Sequence, residues 1–267
     1  MKTAYFWLTP QGKQLAEQLQ AHFGGTVEPK ADFAEAVRRA FADCDALVFV
    51  MATGIVVRTI APLVQSKASD PAVLVLDQRG KHVISLLSGH LGGANAMAEQ
   101  AAAYLGGEAV ITTATDVEHV PAFDLFAKEN HLTIENLEEL KYISGALVAG
   151  EPVSLCTAFP VEKNAFPETV QIQPFSETPR HACAVAIADT TESVAAPHVL
   201  YLRPKSLVLG VGCKKQIPPA HLEQCFRTFL QEHHLSLSAV EKLATIGLKR
   251  EEPAILALCE KLSLIHI

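Results

Sequence analysis

The sequence predicts an α/β protein, with an N-terminal open, mostly parallel sheet flanked by helices and a second, smaller α/β domain toward the C-terminus. Three observations predict it. Short apolar runs alternate with amphipathic segments through the N-terminal part. The run Ala46 to Met51 is apolar at every position, as in a strand buried on both faces. Glycines follow several of the apolar runs, where a strand must turn into a helix.

The elements follow in order. Ala4 to Leu8 reads as a short strand. Pro10 to Phe23 reads as a helix, with Leu15, Leu19 and Phe23 at four-residue steps and Gly24 and Gly25 at its end. Asp32 is expected to cap a second helix, whose Phe33, Ala36, Val37, Ala40 and Phe41 share one face. Ala72 to Leu76 and His82 to Leu87 are strands on either side of the turn Asp77 to Lys81. Ala94 to Leu105 is a helix stopped by Gly106 and Gly107, and Ala109 to Thr112 begins another strand. From about Pro121 the pattern weakens. Asn136 to Val148 is helical, and Pro152, Pro160, Pro167, Pro174, Pro179 and Pro197 punctuate short apolar runs, so this stretch reads as a smaller module or connector. A second α/β unit starts near Lys205, with strand Ser206 to Val211 and helices from about Pro218 to Glu232, Ser238 to Leu243 and Pro253 to Leu262. The expected domains are 1–120, 121–204 and 205–267.

Composition bounds the function. Of 267 residues, 49% are hydrophobic and 19% charged, which excludes disorder across the chain. With 22 Lys and Arg against 29 Asp and Glu, the net charge of −7 argues against nucleic acid or an anionic membrane as the main partner. A local basic pocket for an acidic ligand remains compatible with it. The most apolar run, Ala46 to Val57, is too short for a membrane span, which takes about 20 residues. The N-terminus has no apolar core of signal-peptide length. Six scattered cysteines without a CxxC pair fit free thiols in a reducing compartment, and the expected location is cytoplasmic.

Unusual chemistry sits at three strand ends. The first is Met51 to Pro62, where Gly54 permits a tight turn and Arg58 lies one helical turn on, able to meet a carboxylate bidentately. A packing glycine and a solvated arginine explain it equally well. The second is Leu86 to Gln100, where Gly89, Gly92 and Gly93 bracket His90, with Ser88 and Asn95 at the edges. Such a turn offers N–H groups and the positive end of a helix dipole. It lacks the GxGxxG spacing of a dinucleotide site. His90 is either a loop residue satisfying backbone groups or a proton-transfer group. The third is Leu207 to Pro218, where Gly210 and Gly212 relax the strand end and Cys213 precedes Lys214 and Lys215. A small buried thiol beside a ligand-facing basic pair explains it better than a catalytic thiolate. Lys249 and Arg250, ahead of Glu251 and Glu252, read alone as a solvated charged face. No histidine set has metal-ligand spacing, so no protein-bound metal is expected.

The stretches MATGIVVRTIAPLVQSKASDPAVLVLD and HVISLLSGHLGGANAMAEQAA resemble the N-terminal signature of the CbiG family of cobalamin biosynthesis, the cobalt-precorrin-5A hydrolases. SLVLGVGCKK and LATIGLKREEPAILALCEKL resemble the family's C-terminal domain. The chain departs from it at Gly247, where the family commonly carries an acidic residue, and at the final SLIHI, where the family's C-terminal domain continues. The expectation is therefore a C-terminal domain that lacks strands. The resemblance implies lactone opening by water on a cobalt-bearing, ring-contracted tetrapyrrole of the anaerobic vitamin B12 route, with loss of acetaldehyde. It implies no protein cofactor, since the cobalt belongs to the substrate. The substrate's carboxylates suit Gly54, Arg58, Ser88, Gly89, Gly92, Gly93, Asn95, Gly210, Gly212, Lys214 and Lys249 as binding residues, with Lys215 beside them. His90 is the candidate base, and the N–H groups of Gly92 and Gly93 are candidate oxyanion donors. A non-catalytic tetrapyrrole- or anion-binding module is the alternative, and a nucleotide-dependent enzyme is a weaker one. A transient handover of substrate to other cobalamin-pathway enzymes is compatible with the chemistry, and nothing in the residues supports it.

Overall fold

A computed structural model describes residues 1–66, 69–162 and 165–266, and the chain divides into two units, Met1–His119 and Val120–Ile267. The last residue of the expected third domain, Ile267, lies outside the described residues.

The first unit runs β1 (Thr3–Trp7), α1 (Pro10–Phe23), β2 (Thr26–Val27), α2 (Phe33–Asp43), β3 (Ala46–Val50), α3 (Thr53–Ile60), β4 (Ala72–Leu76), β5 (His82–Leu87), α4 (Ala94–Leu105), β6 (Glu108–Val110) and α5 (Ala114–Val117). Its strands form one sheet in the order β2-β1-β3-β4-β5-β6. Period-two alternation divides their side chains between two helical layers. Tyr5, Val48, Val50, Leu74, Leu76 and Val83 pack under Leu15 and Leu19 of α1 and Ala94, Ala98 and Ala101 of α4. Ala4, Phe6, Leu47, Phe49, Val73 and Val75 pack against Ala36, Val37 and Ala40 of α2 and Val56 and Ile60 of α3. Each large apolar side chain so buried contributes roughly 1.5–3 kcal/mol.

Capping differs between the first two helices. Thr9 accepts the Gly12 N–H at 3.0 Å and Pro10 opens α1. Asp32, expected to cap α2, does not. Its backbone is left-handed at φ 53° and its carboxylate makes no capping bond, so α2 is held by its buried face instead.

Strand direction positions the sites. β1, β2, β3 and β4 are parallel. The Asp77 carboxylate closes a hairpin by accepting the N–H groups of Arg79 and His82, and β5 returns antiparallel to β4. β6 then pairs parallel to β5. The carboxyl ends of β1, β3 and β4 therefore lie at one edge of the sheet, and those of β5 and β6 at the opposite edge.

In the second unit, α6 (Phe123–Glu129), β7 (Leu132–Ile134), α7 (Leu140–Val148), β8 (Val153–Thr157), β9 (Val170–Pro174), β10 (Cys183–Ile187) and β11 (His198–Pro204) build a sheet in the order β7-β11-β10-β8-β9, parallel except for β7. The helix expected from Asn136 starts as a 3-10 turn, Leu137–Glu139, before α7. β12 (Leu207–Gly210), α8 (Pro219–Glu232), β13 (Val240–Ala244), α9 (Pro253–Leu262) and β14 (Ile265–His266) follow, with the three strands parallel in the order β12-β13-β14. The helix expected over Ser238 to Leu243 is thus a 3-10 turn running into a strand. The register against β12 shifts after Leu207, so Glu241 is inserted and both Val240 and Leu243 reach the core. Two buried residues three apart imitate a helical spacing, and the bulge is its cause. Across the second unit, the buried Arg203 of β11 pairs with Glu135 at 2.9 Å, and Glu135 accepts the Ser236 hydroxyl ahead of β13.

Candidate active site

The turn between β5 and α4 is folded around its glycines. Ser88 and Gly93 have left-handed backbones, at φ 57° and 88°. A Cβ on Gly92 would lie 2.5 Å from Ser88 Cβ and 2.7 Å from its carbonyl oxygen. One on Gly89 would lie 2.6 Å from Asn95 Oδ1. At Gly92 the chain passes only without a side chain, and at Gly89 a methyl would displace the Asn95 amide. Ser88 anchors the turn to the segment before β4, donating to the Asp70 carbonyl at 2.9 Å.

The same folding uses most of the donors that α4 was expected to offer an anion. The N–H of Gly93 bonds to the His90 carbonyl, that of Ala94 to Ser88 and that of Asn95 to Gly89. Gly93 is therefore not an oxyanion donor in this conformation. The N–H of Gly92 has no protein acceptor among the described residues.

His90 sits within a polar cluster drawn from the 32 positions from Ser85 to Asp116. His90 Nε2 lies 2.6 Å from Asp116 Oδ2, and Thr115 Oγ1 is 3.4 Å from the same nitrogen. A carboxylate only accepts, so the neutral ring carries its proton on Nε2. Asn95 donates from Nδ2 to Asp116 Oδ2 and to Thr113 Oγ1, each at 3.1 Å, and accepts the Ser85 hydroxyl on Oδ1 at 2.6 Å. The carboxylate thereby fixes which way the amide points. The His90 side chain is 12% exposed and that of Asp116 35%. Three elements converge: β5 delivers Ser85 and the His90 turn, α4 delivers Asn95, and the segment after β6 delivers Thr113, Thr115 and Asp116. Thr113, Thr115, Asp116 and Ser85 were not singled out from the sequence. A signal for them was their place just beyond a short strand next to β5 in a sheet, which only the pairing makes visible.

Within the first unit, the other strand end stands apart from this cluster. Gly54 lies at the opposite edge of the first sheet, because β5 is reversed. Arg58 is exposed and turns back on its own helix, donating to the Gly54 carbonyl at 3.0 Å. Beyond the carboxyl ends of β1, β3 and β4 is a mainly apolar cleft of about 520 Å³ that includes Leu8, Met51, Thr53, Ile55, Asp77 and His82. It takes in the ends of β1 and β3, where the direction of winding reverses, the usual ligand position of an open sheet, and extends over β4 to the start of β5. In the second unit, Gly210 and Gly212 face open space and line an apolar pocket of about 310 Å³ with Leu222, Cys225, Phe226 and Phe229. Lys214 and Lys215 are exposed beside it. Lys249 is drawn into a 3.1 Å ion pair with Glu252. The Gln216 N–H, together with Lys249, holds the Glu252 carboxyl below the usual glutamate range. Among the described residues no three His, Cys, Asp or Glu side chains gather as a metal site, and no helix is long and apolar enough to cross a membrane.

Comparison with known proteins gives one consistent result. The chain matches the family description "Cobalamin synthesis G N-terminal" over residues 35–116, the cobalamin biosynthesis central region over 121–204 and the cobalamin synthesis G C-terminus over 207–266. It is 35% identical to the cobalt-precorrin-5A hydrolase of Salmonella typhimurium, across 96% of this chain and 78% of that one. It is 35% identical to the cobalt-precorrin-5A hydrolase of Priestia megaterium, across 80% of this chain and 61% of that one. A solved structure of a cobalamin biosynthesis protein G homolog from Sulfolobus solfataricus is similar to all of this chain and 79% of its own, with a TM-score of 0.49 and 22% identity.

Proposed function

The chain belongs to the cobalamin synthesis G family, and from that membership we propose that it is a cobalt-precorrin-5A hydrolase whose chemistry is carried by the pair His90 and Asp116. The observation that supports the site is the 2.6 Å contact between His90, in the turn after β5, and Asp116, in α5.

The substrate is a cobalt-bearing macrocycle, and the metal arrives with it. His90, oriented through Nε2 by Asp116, takes a proton from water as the water adds to the lactone carbonyl. The carbonyl oxygen gains negative charge, and the Gly92 N–H is the backbone donor suited to meet it. Collapse breaks the acyl C–O bond, leaving a ring carboxylate and a hydroxyl on the extruded two-carbon unit. Loss of that hydroxyl's proton then breaks the C–C bond to the ring and frees acetaldehyde.

The test is anaerobic incubation with cobalt-precorrin-5A, with acetaldehyde trapped and quantified against heat-killed protein. The wild-type chain is expected to release one acetaldehyde per substrate. His90→Ala is expected to lower the single-turnover rate of lactone opening by about 100-fold or more, the usual weight of a general base. A wild-type rate in His90→Ala removes His90 as the base. Tight corrinoid binding by the wild type without turnover replaces the enzyme reading with that of a tetrapyrrole-binding module.

A further inference from the structure

The reaction just described needs two proton removals, one from water and one from the hydroxyl released by lactone opening. We propose that the site divides them, with Asp116 Oδ1 taking the second proton and so driving the carbon–carbon cleavage. The inference rests on the hydrolase reading and deepens it.

The geometry of the carboxylate carries it. Both hydrogen bonds that Asp116 accepts fall on Oδ2, from His90 Nε2 and from Asn95 Nδ2. Oδ1 accepts none among the described residues. A carboxylate that served only to orient the ring would need no second clamp. Here Asn95 is itself fixed by Ser85 on one side and Thr113 on the other, so the carboxylate cannot swing and exchange its oxygens. Asn95 is buried, whereas the Asp116 side chain is about one-third exposed, nearly three times the exposure of the His90 side chain. The more reachable member of the pair is the carboxylate, and its unbonded oxygen is a proton acceptor held in place.

The step balances. The hydroxyl proton passes to Asp116 Oδ1. The O–H electron pair becomes the second bond of the aldehyde carbonyl. The C–C bond to the ring breaks, and its electron pair remains in the conjugated, cobalt-bearing macrocycle. No outside oxidant or reductant is required.

Asp116→Asn separates the two steps. It keeps a side-chain oxygen for His90 and removes the charge that accepts the second proton. With cobalt-precorrin-5A under anaerobic single-turnover conditions, mass spectrometry reads substrate, the hydrated lactone-opened species and product. The expected result is build-up of the lactone-opened species, with acetaldehyde release slowed about 100-fold or more and lactone opening slowed less than about 10-fold. If both steps slow equally and no opened species accumulates, Asp116 acts only through His90 and the proposal fails. Should Asp116→Asn melt well below the wild type, Asp116→Ser is read in the same assay, with the same two outcomes. Failure of the wild type to release acetaldehyde would instead overturn the hydrolase reading itself, so the two failures are distinct.

Discussion

Tyr5 is a residue whose chemistry works against its place in the fold. It is fully buried at the centre of β1, and its hydroxyl has no partner among the described residues. Burial pushes its pKa from 10.0 up to about 12. In the unfolded chain the phenol ionises near pH 10 while the folded one stays neutral, so stability is lost as pH rises from about 10 toward 12. At about 1.4 kcal/mol per unit, the loss reaches roughly 3 kcal/mol. Tyr5→Phe is expected to stabilise the protein by about 1–3 kcal/mol at neutral pH, because an unsatisfied buried hydroxyl is removed. It is also expected to flatten this alkaline limb. Urea midpoints at pH 7 and pH 10.5 measure both effects, and a destabilised Phe variant would mean that the hydroxyl has a partner. His90 offers the contrast at this scale: a largely buried polar side chain whose ring nitrogen is met by Asp116, 26 residues on.

At the scale of elements, the turn before α4 makes two glycines answer to different demands. A methyl on Gly89 meets the Asn95 side chain, whereas one on Gly92 meets the Ser88 Cβ and carbonyl oxygen, which the backbone holds in place. Side chains yield and backbones do not. Gly89→Ala is therefore expected to fold with little loss of stability yet lose about 10- to 100-fold in turnover, because Asn95 is displaced from Asp116. Gly92→Ala is expected to lose about 1–3 kcal/mol of stability. Equal stability losses in the two variants, measured by thermal melting, would contradict this separation. The same turn shows what was legible beforehand. His90 stood out because a strand, three glycines and a helix surround it in consecutive sequence. Asp116 did not, since it lies in a four-residue helix and meets His90 only because β6 pairs with β5. Helices with unbroken periodicity, such as α1, α4 and α9, could be read to the residue. β13 could not, because its bulge gives a strand the spacing of a helix. The opposed placement of Gly54 and His90 was also hidden, since alternating strands and helices imply parallel neighbours and the Asp77 hairpin reverses one.

For the molecule as a whole, the question is how much chain the site requires. The two apolar clusters of the first unit draw on residues between Ala4 and Ala109, covering both faces of the sheet. The described side chains of the His90 network, from Ser85 to Asp116, also lie before His119. A unit of this length is large enough to close a core without help, since even domains of about 60 residues often do so. Residues 1–119 are therefore expected to fold alone, with a cooperative thermal transition. They are expected to keep the His90–Asp116 contact, seen as an imidazole proton signal that is lost in Asp116→Asn. A fragment ending at Leu105 keeps α4 but lacks β6 and Asp116, and it is expected to melt lower and to lack that signal. Gradual melting of 1–119 with dye-binding apolar surface would mean that the first unit depends on the rest of the chain. Cooperative folding with the signal present would locate the proton-transfer chemistry in the first unit. Acetaldehyde release by the fragment, compared with the full chain at matched substrate, then measures what the second unit adds to holding the macrocycle.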